Sequence, residues 1–295
     1  MARVLILGSG GRLGAALAEA WAPRHEVIPL PRQTLDLGGS QKVREKLSGE
    51  VFDVVVNCAA LTNVDYCETH REESFAINAD AVRVIAEVCR EKSARLIQIS
   101  TDYVLSGEQK TPHQESDPAE PISVYGESKR AGEIAALEVS PDNLAVRVSW
   151  VFGPHRPSFI DAMLRRAKTE SEISAVADKF STPSYTLDLA EMLESYLTQI
   201  KTGGILHLCN GGACSWQEYA QHALDVAHQI GLPLQAIKVN AIELDSLSAF
   251  VAKRPRHTLL STDRYSRETG QLPRPWQEAV EDYIRTFGQK IVADL

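Results

Sequence analysis

The sequence predicts an α/β fold: a doubly wound parallel sheet followed by a smaller C-terminal α+β part. Three observations lead there. Short apolar runs, among them Val4-Leu5-Ile6-Leu7 and Val54-Val55-Val56, alternate with amphipathic helix-length stretches, the pattern of parallel strands joined by crossover helices. The first run passes directly into Gly8-Ser9-Gly10-Gly11-Arg12-Leu13-Gly14 and then into helix-forming Ala15 to Trp21. The residues of greatest chemical interest fall where strands end, and open parallel sheets bind ligands there.

Strand, glycine turn and helix in that order form the context of a Rossmann dinucleotide fingerprint. Gly8 permits the tight turn, and Gly10 and Gly11 let backbone amides approach a pyrophosphate at the positive helix end. Gly14 lets the helix lie close to the sheet. Arg12 and Leu13, inside the same stretch, count as cofactor contacts with these glycines. Val27-Ile28-Pro29-Leu30 is the second strand. NAD-selective sites place an acid at its end, whereas here Leu30 is followed by Arg32. An arginine there can pair with a 2′-phosphate, so the expected cofactor is NADP, with NADPH preferred and NAD the other reading; an ordinary surface arginine is the plainer alternative. Asp36 and Leu37 are placed at the adenine edge.

Phe52 to Asn57 is the third strand, and Ala59, Ala60 and Thr62 after it are small enough for close passage of a cofactor. Val64 to Glu68 reads as a polar turn, and a helix is expected from about Glu72 to Arg90. Asn78 lies near that helix's apolar stripe. It either holds a relay water in the cofactor site or is a satisfied core amide. Arg95 to Ser100 is the next strand, ending in Thr101; Pro-rich residues 105–122 read as a loop over the site.

Tyr125 and Lys129 then share one face of a helix, four residues apart. Moving a phenol from its ordinary value of about 10 to about 7 takes roughly 4 kcal/mol. One positive charge about 4 Å away supplies roughly that much at an effective dielectric of about 20. Lys129 is therefore expected to make Tyr125 a proton donor and acceptor near neutral pH, with Thr101 bonding the same substrate oxygen. Asp102, next to Thr101, is expected to point to the opposite face of its strand.

Leu144 to Val148 is a further strand, followed by Trp150, which is either an apolar wall for the substrate or a core residue. We expect residues 1–152 to form the dinucleotide-binding unit, with 182–210 packed back onto it, and residues 153–295 the substrate-binding unit. Ala177 to Pro183 reads as a loop, Leu187 to Ile200 as a helix, Ile205 to Cys209 as a strand and Trp216 to Ile230 as a helix capped by Ser215. Phe250 to His257 is the densest basic cluster of an acidic protein, and Arg254 in it suits a substrate phosphate.

The net charge of −8 argues against a nucleic-acid surface, and no apolar run is long enough to span a bilayer. Five cysteines without a Cys-x-x-Cys spacing suggest free thiols in a reducing compartment. A strand beginning by Arg3 leaves no room for a signal peptide, so the expected location is cytoplasmic. His222 and His228 are six apart and do not share a helix face, which argues against a metal site.

With the glycine stretch, Asn57-Cys58-Ala59-Ala60, Ser100 to Val104 and Tyr125 to Lys129 in order, the chain resembles the extended short-chain dehydrogenases. More narrowly, Ala60 to Asp65, Ile99 to Val104, Val146 to Gly153 and Ala252 to Pro255 resemble the dTDP-4-dehydrorhamnose reductase family. The resemblance implies NADPH-dependent reduction of the 4-keto group of a nucleotide-linked 4-keto-6-deoxysugar, with Thr101, Tyr125 and Lys129 catalytic. It implies a nucleotide-sugar partner met by Val104, Trp150 and Arg254, and a possible homodimer. Some members bind Mg²⁺ through a Glu two residues past the last glycine; Ala16 stands here, so no metal is expected. Ser158, Ser181 and Thr258 depart from the residues usual at their positions. A non-catalytic NADP-binding regulatory subunit, or an epimerase or dehydratase of the same superfamily, are the alternatives.

Overall fold

The computed structural model describes residues 1–293. Strands β1 (Arg3–Leu7), β2 (Glu26–Leu30), β3 (Val54–Asn57), β4 (Arg95–Thr101) and β5 (Leu144–Val148) form one parallel sheet with a sixth strand, Gly204–His207. From that sixth strand the order is β5, β4, β3, β1, β2, so the chain reverses direction across the sheet between β1 and β3. The register brings Leu7 opposite both Leu30 and Asn57, and Thr101 opposite Val148, which lines up the C-terminal strand ends along one edge.

Alternation along the strands builds two cores. Val4 and Ile6 face helices α1 (Arg12–Trp21) and, later in the chain, Thr186–Thr198, meeting Leu17, Trp21, Leu189 and Leu193. Leu5 and Leu7 face the other way, toward α2 (Ser40–Ser48) with Val43 and Leu47. The Trp21 indole donates to the Ala190 carbonyl at 2.9 Å, fixing α1 to Thr186–Thr198.

Two expectations are corrected between β3 and β4. Residues expected as a polar turn form helix α3 (Val64–Thr69), because the Asn63 side chain accepts from the Tyr66 amide and caps it. The helix expected from Glu72 begins at Arg71 and is not uniform. It runs as α4 (Arg71–Phe75), a wider π turn (Ala76–Asp80) and α5 (Ala81–Glu91). The π turn carries Asn78 toward the strand ends.

Helix α6 (Val124–Val139) carries Tyr125 and Lys129. It is anchored by Glu133, which is 0% exposed: its carboxylate accepts from Arg147 at 2.8 and 2.9 Å, from Ser100 at 2.7 Å and from Arg130 at 2.8 Å. Gly132 packs where a Cβ would collide with the Asn78 carbonyl. The C-terminal part has an aromatic core of Phe152, Tyr185, Tyr219, Trp276 and Tyr283 with helices α7 (Phe159–Thr169), α9 (Trp216–Gln229) and α11 (Trp276–Ala293), while α8 (Thr186–Thr198) and α10 (Asp263–Thr269) join the sheet core through Leu189, Leu193 and Tyr265. The expected loop at 177–183 contains a short strand, Phe180–Ser181, paired antiparallel with Cys214–Ser215.

Removing one partner of a fully buried charge pair leaves the other uncompensated. Glu133→Ala is therefore expected to destabilise the fold by about 3–5 kcal/mol in denaturant titration. A loss below about 1 kcal/mol would show that α6 is held by other contacts.

Candidate active site

A groove of about 620 Å³ runs along the C-terminal strand ends, within the usual size range of small-molecule sites. The glycine turn forms one end. Gly8 has φ +73°, and a Cβ on it would come within 2.7 Å of the Ala59 amide nitrogen. A Cβ on Gly14 would lie 2.5 Å from the Gly8 carbonyl oxygen, so turn, helix and post-β3 segment meet by backbone alone. Helix α1 has no side-chain cap, which leaves its first amides free for an anion. Gly10, Gly11 and Leu13 line the groove here, as expected.

Arg12 also borders the groove, but its guanidinium is occupied. It donates to the Val151 carbonyl at 2.9 Å, the Arg156 carbonyl at 3.1 Å and the Pro157 carbonyl. Burial lowers its pKa. Its side chain holds the 151–157 segment across the end of α1, so the part of Arg12 left to meet a cofactor is its backbone amide, the first of α1. Past β2, Arg32, Asp36 and Leu37 line the groove together. Arg32 Nε donates to Asp36 at 2.9 Å, and both side chains are exposed. The Gly38 amide, and then Arg32, hold the Asp36 carboxyl below its ordinary range.

Ala59, Ala60 and Thr62 form the floor past β3. Asn78 fixes that floor through its side-chain amide. Its oxygen accepts from the Leu61 amide at 2.8 Å, and its nitrogen donates to the Leu61 carbonyl and the Ser128 hydroxyl, each at 3.0 Å. The core-amide reading holds, and the relay-water reading is set aside because both polar ends are taken.

Strand β4 delivers Thr101, Tyr103 and Asp102 to the groove. Thr101 caps a single 3₁₀ turn, Asp102–Val104, by accepting from the Tyr103 amide at 3.2 Å. That turn leaves the strand, so Asp102 does not point to the opposite face as expected. It becomes a buried acceptor for four hydroxyls: Thr101 at 3.1 Å, Ser149 at 2.9 Å, Ser181 at 2.9 Å and Thr258 at 2.6 Å. Ser181 and Thr258 are two of the positions that depart from the family pattern. Val104, expected at the substrate, is fully buried with Leu105, Cys209 and Leu260.

Tyr125 and Lys129 both line the groove and are 8% and 4% exposed. The Tyr103 ring meets the Tyr125 ring edge-on at 5.6 Å. Burial raises the Tyr125 phenol well above its ordinary value, and an interaction with the Thr101 hydroxyl offsets part of that. The Lys129 ammonium donates to the Ile99 carbonyl at 2.7 Å; burial lowers its pKa to about 8, opposed by Glu133. The expected lowering of the phenol by Lys129 is therefore not found. Desolvation dominates both groups and pushes each toward its neutral form.

Trp150 stands between the groove and an aromatic annex of about 150 Å³ lined by Tyr103, Phe159, Trp216 and Tyr219. It thus lines a cavity and packs on the Tyr219 ring, 5.9 Å away. Tyr103, Trp216 and Tyr219 were not singled out from the sequence. Tyr103 sits inside the motif that contains Thr101, whereas Trp216 and Tyr219 lie on a helix with no distinguishing signal.

Arg254 does not face the groove. It makes a fork-to-fork pair with Asp65 at 2.7 and 2.7 Å, donates to the Ala252 carbonyl at 2.7 Å and stacks 4.0 Å over the Phe250 ring. Asp65 also accepts from the Val251 and Ala252 amides at 2.8 and 2.9 Å. The expected phosphate contact is corrected to a clasp joining α3 to the C-terminal part. Arg254, followed by those amides, lowers the Asp65 carboxyl to about 2. A depressed carboxylate contributes stability above its unfolded value near 4 and loses it as pH falls through about 2. The stability difference between wild type and Asp65→Asn is thus expected to be full above pH ~4 and to vanish below pH ~2. A pH-independent difference in thermal melts would contradict the clasp.

The family model described as "RmlD substrate binding domain" matches residues 2–289. The spore coat polysaccharide biosynthesis protein SpsK of Bacillus subtilis is 34% identical over 97% of this chain and 98% of its own. A dTDP-4-dehydrorhamnose reductase of Aggregatibacter actinomycetemcomitans is 33% identical over 98% of this chain and all of its own. The crystal structure of a dTDP-4-dehydrorhamnose reductase from Bacillus anthracis in complex with NADP superposes with a TM-score of 0.89 at 28% identity, covering 97% of this chain and 99% of that one.

Proposed function

Because the chain belongs to the dTDP-4-dehydrorhamnose reductase family, that of the RmlD substrate binding domain, we propose that it reduces the 4-keto group of a nucleotide-linked 4-keto-6-deoxysugar with NADPH, in deoxysugar biosynthesis. The observation that carries the reading is a single groove in which the glycine turn, Thr101, Tyr125 and Lys129 come together. The residues fit a dinucleotide: Gly8 and Gly14 leave room for a backbone-lined turn, and Arg32 stands where a 2′-phosphate needs a cation. Ala59, Ala60, Thr62 and Leu37 would flank the cofactor. NADPH, when bound, supplies the hydride.

The chain's own work is proton transfer and orientation. A phenol whose burial favours the neutral form is in the right state to donate. Tyr125 gives its proton to the C4 oxygen, and Thr101 orients that oxygen by turning its one hydroxyl proton to it from Asp102, which keeps its three other donors. Lys129, still largely protonated at neutral pH, steadies the phenolate left behind. Trp150 walls the sugar. Asp102 is taken up by four hydroxyl donors, which favours a reductase over an epimerase or dehydratase needing a free acid or base there.

We take residues 1–152, with 182–210 packed back, as the cofactor unit and 153–295 as the substrate unit; the sheet strand Gly204–His207 supports the packing-back. A homodimer remains part of this reading. No helix among the described residues is long and apolar enough to cross a membrane, and the five cysteines are free thiols, as suits a reducing cytoplasm.

The test is NADPH oxidation against a panel of 4-keto nucleotide sugars. Tyr125→Phe is expected to lower kcat by roughly 10²–10⁴-fold while retaining cofactor binding. Equal rates in that variant would remove Tyr125 from the mechanism, and no turnover with any sugar would favour the regulatory-subunit alternative. Since the Lys129 cation is present below about pH 8 and lost above it, kcat for reduction should hold steady near neutrality and fall above that value. In Lys129→Met the rate should be low with no such limb; persistence of the limb would assign it to another group.

A further inference from the structure

Four cationic side chains line the groove: Arg12, Arg32, Lys129 and Arg156. Three are occupied in full or in part. Arg12 is spent on three carbonyls, Lys129 bonds the Ile99 carbonyl and Arg32 pairs with Asp36. Arg156 is different. Its Nε donates to the Gly10 carbonyl at 3.1 Å, in the middle of the glycine turn, and its two terminal nitrogens have no partner among the described residues. The side chain is exposed to the groove mouth and pairs with no carboxylate there.

Its placement is built, not incidental. Arg12 reaches up from α1 to the carbonyls of Val151, Arg156 and Pro157, while Arg156 reaches down to Gly10. The two arginines clasp the 151–157 segment to the first turn of α1 from both sides. Backbone strain lies at its start and within it: Trp150, just before the segment, has φ +40° and His155, inside it, φ +77°, conformations that side-chain-bearing residues rarely adopt. Such strain persists only where the surroundings impose it, and here it delivers Trp150 and Arg156 to one groove.

Resting on the reading that this groove takes NADPH, the structure assigns Arg156 to the cofactor's pyrophosphate. A guanidinium held by one nitrogen keeps a free pair of donors, suited to two phosphate oxygens. The unsatisfied amides of α1 bind the same anion from below, and Arg156 covers it from above. Arg32 serves a different group, the 2′-phosphate, at the end of β2. Arg156 thus strengthens binding of any nicotinamide dinucleotide, whereas Arg32 selects between them.

The assignment is tested by equilibrium binding to the full chain, read by fluorescence, with NADPH, NADH, ADP-ribose and adenosine as ligands. Arg156→Ala is expected to weaken NADPH, NADH and ADP-ribose by one common factor of roughly 10–100-fold, to leave adenosine within about twofold and to flatten the salt dependence. Arg156→Lys should recover part of the loss, since it keeps the charge and loses the fork. Arg32→Ala should instead weaken NADPH selectively. Unchanged ADP-ribose affinity in Arg156→Ala overturns the assignment. So does an equal loss for adenosine, which would mean that Arg156 only braces the turn through Gly10. Failure of the wild type to bind NADPH would overturn the reductase reading itself, and this assignment with it.

Discussion

The ion pair of Glu133 with Arg147 governs the geometry of the groove. Burying a carboxylate in an apolar interior is costly, and Glu133 tolerates it because hydrogen bonds from Arg147, Ser100 and Arg130 replace its hydration. Those bonds tie α6 to β4 and β5 together. Glu133 lies four residues beyond Lys129 and eight beyond Tyr125, so one helix face carries both anchor and chemistry. A shift of α6 by one residue would rotate its face by about 100° and remove both groups from the groove. The network admits no such shift without leaving charge unpaired.

Close backbone approach supplies the remaining precision. Gly132 meets the Asn78 carbonyl where any side chain would intrude. Asn78 in turn grips Leu61 by both its amide and its carbonyl, which sets the small residues past β3. The π turn is what lets Asn78 point at Leu61 while α4 and α5 continue on either side. The floor of the groove, its helix and its glycine turn are thus linked by short polar contacts.

What was legible in the sequence is what depends on neighbours along the chain. A strand running into a glycine turn, or a Tyr and Lys four apart on a helix, is local, and both stand in the groove. What was not legible is what each polar side chain meets across the fold. Arg12, Asn78 and Arg254 have the chemistry of ligand contacts, yet partners 139, 17 and 189 residues away occupy them. Residue type reports capacity to bond, and only tertiary contact decides with whom. Val104 was misplaced for the converse reason: the 3₁₀ turn after Thr101 sends it into the core, and strand alternation cannot foresee where a strand ends.

The Tyr125–Lys129 pair shows the same limit in energetic terms. Spacing alone supports an attraction of roughly 4 kcal/mol if the charges lie about 4 Å apart at a dielectric of about 20. It says nothing of the desolvation that burial imposes, which here is the first cause acting on both groups. In the proposed reduction, this keeps the proton on Tyr125 in the resting state at the cost of a weaker acid. A donor must hold its proton until the carbonyl oxygen gathers charge, and a raised phenol does so throughout the neutral range. In that proposal the cost falls on the phenolate after transfer, which the neighbouring Lys129 cation would offset. Burial, rather than the spacing of the two residues along the helix, therefore sets the resting charge of each group.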